Sequence, residues 1–160
     1  MVRLTRWTED DFWLLEACNT EEMTAFLGGP ESAEKVKDRQ RRYFDQSMPG
    51  QMSVIVLDGG EKAGSIGYWE HTEGGETVWE TGWAILPAYQ GRGIASAAIA
   101  EVAKAAAAEG THRRLHAYPR VDNTASNALC RKAGFTLLGP RQFEYPKGHW
   151  MTCNDWALEL

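Results

Sequence analysis

Residues 2–7 alternate weakly between polar and apolar side chains, the two-residue rhythm of a strand. From Thr8 the rhythm lengthens. Thr8 followed by Asp11 has the form of a capping box, and Leu14, Leu15 and Cys18 stand behind it at helical spacing. Gly28-Gly29-Pro30 breaks the pattern. Pro30 suits the first turn of a second helix, which runs to about Gln46 with Val36, Tyr43 and Phe44 inward. Residues 52–58 predict a strand ended by Asp58-Gly59-Gly60, a hairpin signal. A further strand, from about Ala63 to His71, is turned back at Glu73-Gly74-Gly75. The next, from about Thr77 to Leu86, stops at Pro87.

Beyond Pro87 the texture changes. Gly91 to Glu109 is alanine-rich with Ile94, Ala98 and Val102 on one stripe, a helix closed by Gly110. Leu115 to Tyr118 reads as a short strand. Asp122 or Asn123 caps a helix that ends at Gly134. Phe135 to Leu138 and Trp150 to Leu160 are the last strands, joined by a loop with Pro140, Pro146 and Gly148. This order predicts a mixed α+β layer fold. With no internal repeat, low-complexity segment or linker, residues 1–160 read as a single domain.

Composition narrows the class. Hydrophobic residues are 43% and charged residues 24%, the proportions of a globular chain, which excludes disorder and collagen-like structure over the bulk of it. No run of about eighteen apolar residues exists, so no membrane span is expected. Arg3, Arg6, Glu9, Asp10 and Asp11 leave no apolar run for a secretory leader. Cys18, Cys130 and Cys153 are odd in number and at no metal-ligand spacing, and read as free thiols in a reducing, cytoplasmic setting. His71, His112, His116 and His149 also lack ligand spacing, so no metal is expected.

The net charge of −5 speaks against a nucleic-acid partner. Residues 90–135 nevertheless carry seven basic side chains against three acidic ones. Such a segment is either a solvated face or a seat for a small polyanion. Glycines at the turn from strand to helix, Pro87-Ala88-Tyr89-Gln90-Gly91-Arg92-Gly93-Ile94-Ala95, would let backbone N–H groups approach such an anion, and the helix start adds unpaired donors. The P-loop pattern fails because no Gly-Lys-Ser/Thr follows. The dinucleotide fingerprint fits in part, since Ser96 replaces its third glycine and no acidic ribose ligand stands at the required distance. The pattern Gln/Arg-x-x-Gly-x-Gly/Ala fits in full as Gln90-x-x-Gly93-x-Ala95.

With that motif the sequence resembles the GNAT superfamily of acetyl-CoA-dependent N-acetyltransferases. Asn123-Thr124-Ala125-Ser126 followed by Lys132-Ala133-Gly134-Phe135 is similar to a second family motif. Glu80-Thr81-Gly82-Trp83 is similar to a strand of the ribosomal-protein-acetyltransferase-like branch. The resemblance implies a mostly antiparallel, splayed sheet flanked by about four helices, with acetyl-CoA as cosubstrate and its pantetheine arm in the splay. It implies that the backbone of Trp83, Ala84 and Ile85 bonds that arm. It implies too that the loop from Gln90 through Gly91, Arg92, Gly93, Ile94, Ala95 and Ser96 holds the pyrophosphate, and that Asn123 and Ser126 contact the cofactor. Independently of the family, Asn123, Ser126, Asn127 and Cys130 share one helix face, which is polar and small-sided. Asn123 also reads as a simple cap.

An amine must be neutral to attack a thioester. A lysine-like amine pays roughly 4–5 kcal/mol for this at pH 7, and an α-amine only about 1 kcal/mol. Glu80 is the candidate base, acting through water, or else an ordinary strand residue. The family's usual acid is a tyrosine, and its position here is Cys130, which is an acid or a packing residue. Tyr118 stands where some members carry a glutamate. A thiol leaving group, with a pKa of about 8.5, gains only about 2 kcal/mol from protonation at pH 7. Six acidic residues between Asp58 and Glu80 against one Lys62 suit a cationic acceptor, a small molecule or a peptide. Trp69, Trp79, Trp83 and Trp150 either line its pocket or fill the core. The expected function is acetyl transfer to a primary amine by a monomer or homodimer. A non-catalytic acyl-CoA sensor on the same fold is the alternative.

Overall fold

The computed structural model describes residues 1–160. In chain order the elements are β1 (Val2–Arg6), α1 (Phe12–Cys18), α2 (Ala33–Phe44), β2 (Gly50–Leu57), β3 (Lys62–Glu73), β4 (Glu76–Ile85), α3 (Ile94–Glu109), β5 (Arg114–Ala117), α4 (Thr124–Lys132), β6 (Thr136–Glu144) and β7 (Trp150–Glu159). Every element expected from the pattern is present. The strands form one sheet in the order β1-β2-β3-β4-β5-β7-β6. All neighbours are antiparallel except β4 and β5.

Two boundaries differ from expectation. The second helix starts at Ala33, because Ser32 and not the Pro30 turn caps it; the Ser32 hydroxyl accepts from the Lys35 N–H at 3.3 Å. The loop expected around Pro140 is strand: β6 runs through it to Glu144, with Pro140 opposite Asn154. A proline cannot donate to a ladder, and it is tolerated here because β6 is the outermost strand.

Strand alternation gives the sheet two unlike faces. On one, Tyr68, Trp79, Ile85, Leu115, Ala117 and Trp156 pack against Ile94, Ala98, Ile99 and Val102 of α3 and Cys130 of α4. On the other, Val54 and Val56 of β2 pack against Trp7, Leu14, Leu15 and Val36, which brings α1 and α2 over the β1–β2 end. The rest of this second face, across β3 to β6, carries polar and aromatic side chains instead of a helix. No helix of the protein is long and apolar enough to cross a membrane.

Asp11 ties the α1 end to the sheet. Its carboxylate is buried and accepts from the Thr8 N–H at 2.8 Å, the Thr8 hydroxyl at 3.0 Å and the Lys62 ammonium at 2.5 Å. Burial alone would raise its pKa, but Lys62 and the two Thr8 donors outweigh that and hold it below the ordinary carboxylate value. A depressed folded pKa gives stability above the unfolded value that is lost as pH falls through the folded one. Asp11→Asn is therefore expected to cost about 1–3 kcal/mol at pH 7, measured by urea unfolding. The difference from the parent should narrow as pH falls below about 4.

Candidate active site

β4 and β5 are in register only at Trp79 with Leu115 and Glu80 with His116. Beyond that point β4 stays with β3 through Ile85, and β5 stays with β7 through Ala117. The sheet therefore opens after Glu80 and His116. The β5 side of β4 from Thr81 to Ile85 is left without a strand partner, along the backbone of Trp83, Ala84 and Ile85, and of these the Ile85 carbonyl is taken by the Gln90 side chain. Such an edge can pair with an extended, amide-bearing ligand.

The edge leads directly into the glycine loop. Gly91 and Gly93 have positive φ, 73° and 77°, and Gly93 is the N-terminal cap of α3. A side chain at either would meet no protein atom; the left-handed backbone is what requires glycine there. No N–H from Gly91 to Ser96 has a protein partner, and the first helical bond of α3 to reach this loop is Ala97 N–H to Gly93 C=O, at 3.2 Å. Six free donors at a helix start form an anion cradle. Arg92 stacks over the Tyr89 ring, at 5.5 Å. Gln90 is used otherwise than its motif suggests: its amide donates to the Ile85 carbonyl at 2.9 Å and pins the loop to the end of β4. Ile94 is buried in the core, so only its amide faces the loop. A cavity of about 320 Å³ lies beside the loop, between Arg92, Gly93 and Ala97 and the β2–β3 turn at Asp58 and Glu61. None of its lining residues belongs to the Glu80 cluster.

On α4, Asn123 caps the helix, its side chain accepting from the Ser126 N–H at 3.2 Å. Ser126 is half-buried on the following turn. Asn127 on the same face has a structural role: it donates to the carbonyls of Arg120 and Asn123 and accepts from Asn154 and Trp156. This bridge from α4 to β7 was invisible in the sequence, because β7 lies far along the chain. Cys130 is wholly enclosed in the helix-side core, and burial pushes its thiol up to about 12.

Glu80 sits on the opposite, polar face, at the fork. It is nearly enclosed, and burial pushes its carboxyl up to about 7, against a hydrogen bond from Trp69 that works to lower it. His71 Nδ1 lies 3.5 Å from Glu80 Oε1. Burial, His116 and Arg141 lower the His71 pKa, and Asp155 partly opposes them. His71, His116 and Phe143 all pack on the Tyr118 ring or on each other, at centroid distances of 4.8–5.7 Å. His116 Nδ1 is 2.7 Å from Asp155 Oδ1. Arg141 Nε lies 2.9 Å from Asp155 Oδ2, off the line of a hydrogen bond, and its guanidinium also pairs with Glu73. The Tyr118 phenol is raised well above its usual range by burial and by Asp155, Glu80 and Glu76, so it stays protonated at neutral pH.

The expected tryptophans divide. Trp79 is core, Trp83 is half-buried against it, Trp69 reaches Glu80, and Trp150 is exposed. The polar face is walled on two sides. Arg39 of α2 is paired with Glu31 at 2.7 Å and donates to the Tyr145 hydroxyl in the β6–β7 turn at 2.9 Å. Gly28 lies against His149 and Pro146 of the same turn. No cluster of three or more metal-ligating side chains is present. Sequence reasoning missed His71, His116, Asp155 and Arg141. Their only signal was strand parity, which places each of them on Glu80's face once the pairing is known.

Residues 2–136 match the family described as an acetyltransferase (GNAT) domain. No curated protein sequence matches the chain. Among solved structures, it is similar to a Salmonella typhimurium acetyl transferase that modifies the N-terminal serine of ribosomal protein L7/L12, with 24% identity, TM-score 0.80, and 99% and 95% of the two chains covered. It is similar to a ribosomal L7/L12 alpha-N-protein acetyltransferase in complex with coenzyme A, with 23% identity, TM-score 0.79, and 99% and 94% covered. An aminoglycoside acetyltransferase in complex with coenzyme A matches at 18% identity, TM-score 0.79, with 99% and 95% covered. At these identities the likeness is one of fold.

The loop yields a direct expectation. Gly93→Trp places a bulky side chain in the cradle and forces a left-handed tryptophan. Its acetyl-CoA affinity by titration calorimetry should fall at least 100-fold, with the circular dichroism spectrum unchanged, because the cradle is open to solvent and supports no core contact (roughly 3 kcal/mol or more).

Proposed function

The chain belongs to the GNAT acetyltransferases, and we propose that it moves acetyl from acetyl-CoA to a primary amine by direct attack on the thioester, with both substrates bound at once. Residues 1–160 form a single acetyltransferase domain in this reading. Glu80 carries it: a nearly enclosed carboxyl, raised to about 7, at the only point where the sheet forks. A base with that pKa is matched to an amine near 8, an α-amino group, where proton transfer is uphill by only about 1 kcal/mol; a lysine-like amine would cost roughly 4–5 kcal/mol. The α-amino group of a peptide or a small molecule is therefore the favoured acceptor, and the carboxylates of Glu73, Glu76 and Glu80 on the polar face suit its positive charge.

Acetyl-CoA is the cosubstrate. Its pantetheine amides pair with the β4 edge at Trp83, Ala84 and Ile85. Its pyrophosphate accepts from the N–H groups of Gly91, Arg92, Gly93, Ile94, Ala95 and Ser96, with the Arg92 charge alongside. Gln90 acts by holding that loop in place, and Asn123 and Ser126 contact the cofactor from α4. Cys130 is assigned to packing. A thiol with a pKa of about 12 is a poor proton donor to a thiolate, whose conjugate acid lies near 8.5. The Tyr118 phenol is likewise held protonated well above its usual range, so the same argument sets it aside and the thiolate takes its proton from solvent. An acyl-CoA sensor would have no use for an enclosed carboxyl on the acceptor side.

A thiol-release assay over α-amino peptides, alkylamines and aminoglycosides tests the function; no release with any of them would overturn it. The test of the base is Glu80→Gln. Its kcat/KM should fall roughly 10²–10³-fold near neutral pH, and the loss should shrink toward pH 9, where the amine is already neutral. Stability should move the other way. A carboxyl raised from 4.5 to about 7 destabilises the folded state once both states are ionised, so above pH 7 the glutamine variant should be more stable by up to ~3 kcal/mol. Urea midpoints at pH 8 measure this. A variant with a wild-type pH–rate profile would leave Glu80 without the role.

A further inference from the structure

His116 is the strand neighbour of Glu80 across the fork, and residues in register on adjacent strands share a face. Asp155 lies on that face too, two residues from His116's partner Ala157. The Asp155 carboxylate can only accept, so the 2.7 Å contact places a proton on His116 Nδ1. In the neutral ring this leaves Nε2 as a lone pair. That atom is buried and has no partner, a state that in a folded protein calls for a reason. The ionisable groups on His116's face of the sheet are His71 and Glu73 from β3, Glu76 and Glu80 from β4, Tyr118 beyond β5, Arg141 from β6, and Cys153 and Asp155 from β7; of these Tyr118 stacks on the imidazole and Asp155 bonds it.

Resting on acetyl transfer to an amine, the balance of protons asks for a second acceptor. The nitrogen enters as an ammonium with three hydrogens and leaves as an amide with one. Glu80 can hold one proton at a time. We infer that His116, oriented by Asp155, is the second proton acceptor of the site. Glu80 takes the first proton and frees the nitrogen lone pair, which forms the C–N bond at the thioester carbon. Nε2 of His116 takes the second proton from the nitrogen, now positively charged, as the C–S bond breaks and its electron pair leaves on sulphur. The thiolate is protonated from solvent, and both bases return their protons to solvent, so one proton is released per turnover. Glu80 and His116 are in register on adjacent strands about 5 Å apart, with both side chains on one face.

The test uses acetyl-CoA and seryl-alanyl-alanine amide as probe. His116→Ala should bind acetyl-CoA like the parent and lose about 100-fold in kcat. Tens of millimolar imidazole should restore part of that loss. The rise of log kcat/KM with pH should lose one unit of slope. His116→Asn, which keeps polarity without basicity, should be as slow as the alanine variant. Full activity in His116→Asn, or an unchanged slope in His116→Ala, would overturn the assignment. If the variants do not fold, ¹⁵N spectra of the wild-type imidazoles decide. At pH 8 His116 should be in its Nδ1–H form, and its Nε2 resonance should shift when the probe is added with coenzyme A. A probe with hydroxyl in place of the amine should leave it still. The opposite tautomer, or no shift with a probe that binds, would exclude the role. This measurement needs no turnover, so a protein that binds the probe without acetylating it loses the function proposed above while His116 is still tested.

Discussion

Two residue pairs hold the halves of the sheet together at its centre, and the rest of the site follows from that short contact. β5 gives all four of its residues to β7 and only Leu115 and His116 to β4. A longer parallel pairing would close the edge from Thr81 to Ile85 and leave no groove beside it. A shorter one would separate Glu80 from His116. The position of the fork thus fixes both the unpaired strand edge and the placement of the ionisable groups. α3 crosses behind it, and its N-terminal cradle stands at the end of the exposed edge because Gln90 fastens the loop to Ile85.

The two faces of β4 divide the labour. Trp79, enclosed by Leu115, Trp156 and the helices, supplies apolar contact that keeps the strands together at the fork. Glu80, one residue on, points the other way into a region without a covering helix. The charge is kept off bulk water by rings: Trp69 from β3, then His71, Tyr118 and Phe143. Rings shield without offering the full set of hydrogen bonds an ionised carboxylate would have in water, and this is why the Glu80 pKa rises. Asp155 is buried more deeply still, and it has His116 and Arg141 beside it. Two carboxylates on one face are thereby given different environments, the general means by which folds separate acid and base roles.

The strand–helix order, the hairpin turns and the glycine loop were legible because each depends on local chemistry. Gly93 is required by its own φ, Asn123 by the helix it caps, and Val54 and Val56 by strand alternation. The Glu80 surroundings were not legible, because they come from pairing between distant segments. His71, His116, Asp155 and Arg141 lie on four strands, and a change of one residue in any register would turn a side chain to the other face. Asn127 was read only as part of a polar, small-sided helix face, and its partners Asn154 and Trp156 come from β7. Pro140 pointed to a loop for a sound local reason, and only the place of β6 at the edge overrides it.

The enclosed Cys130 bears on what such a site needs. In attack of an amine on a thioester the difficult protons are those on nitrogen, since the leaving thiol has a pKa close to ambient pH and the amine does not. A chain can therefore fill the tyrosine position with a small thiol that packs in the helix-side core and lose little in expelling coenzyme A. It cannot so easily give up groups on the nitrogen side. Ionisable side chains here are concentrated accordingly: Glu80, His71, His116 and Asp155 stand on the polar face, and the helix-side core beneath the same strands contains none of them. On the proposed reading the electrostatics of this face serve the acceptor amine, and the cofactor is left to backbone amides, which require no titration.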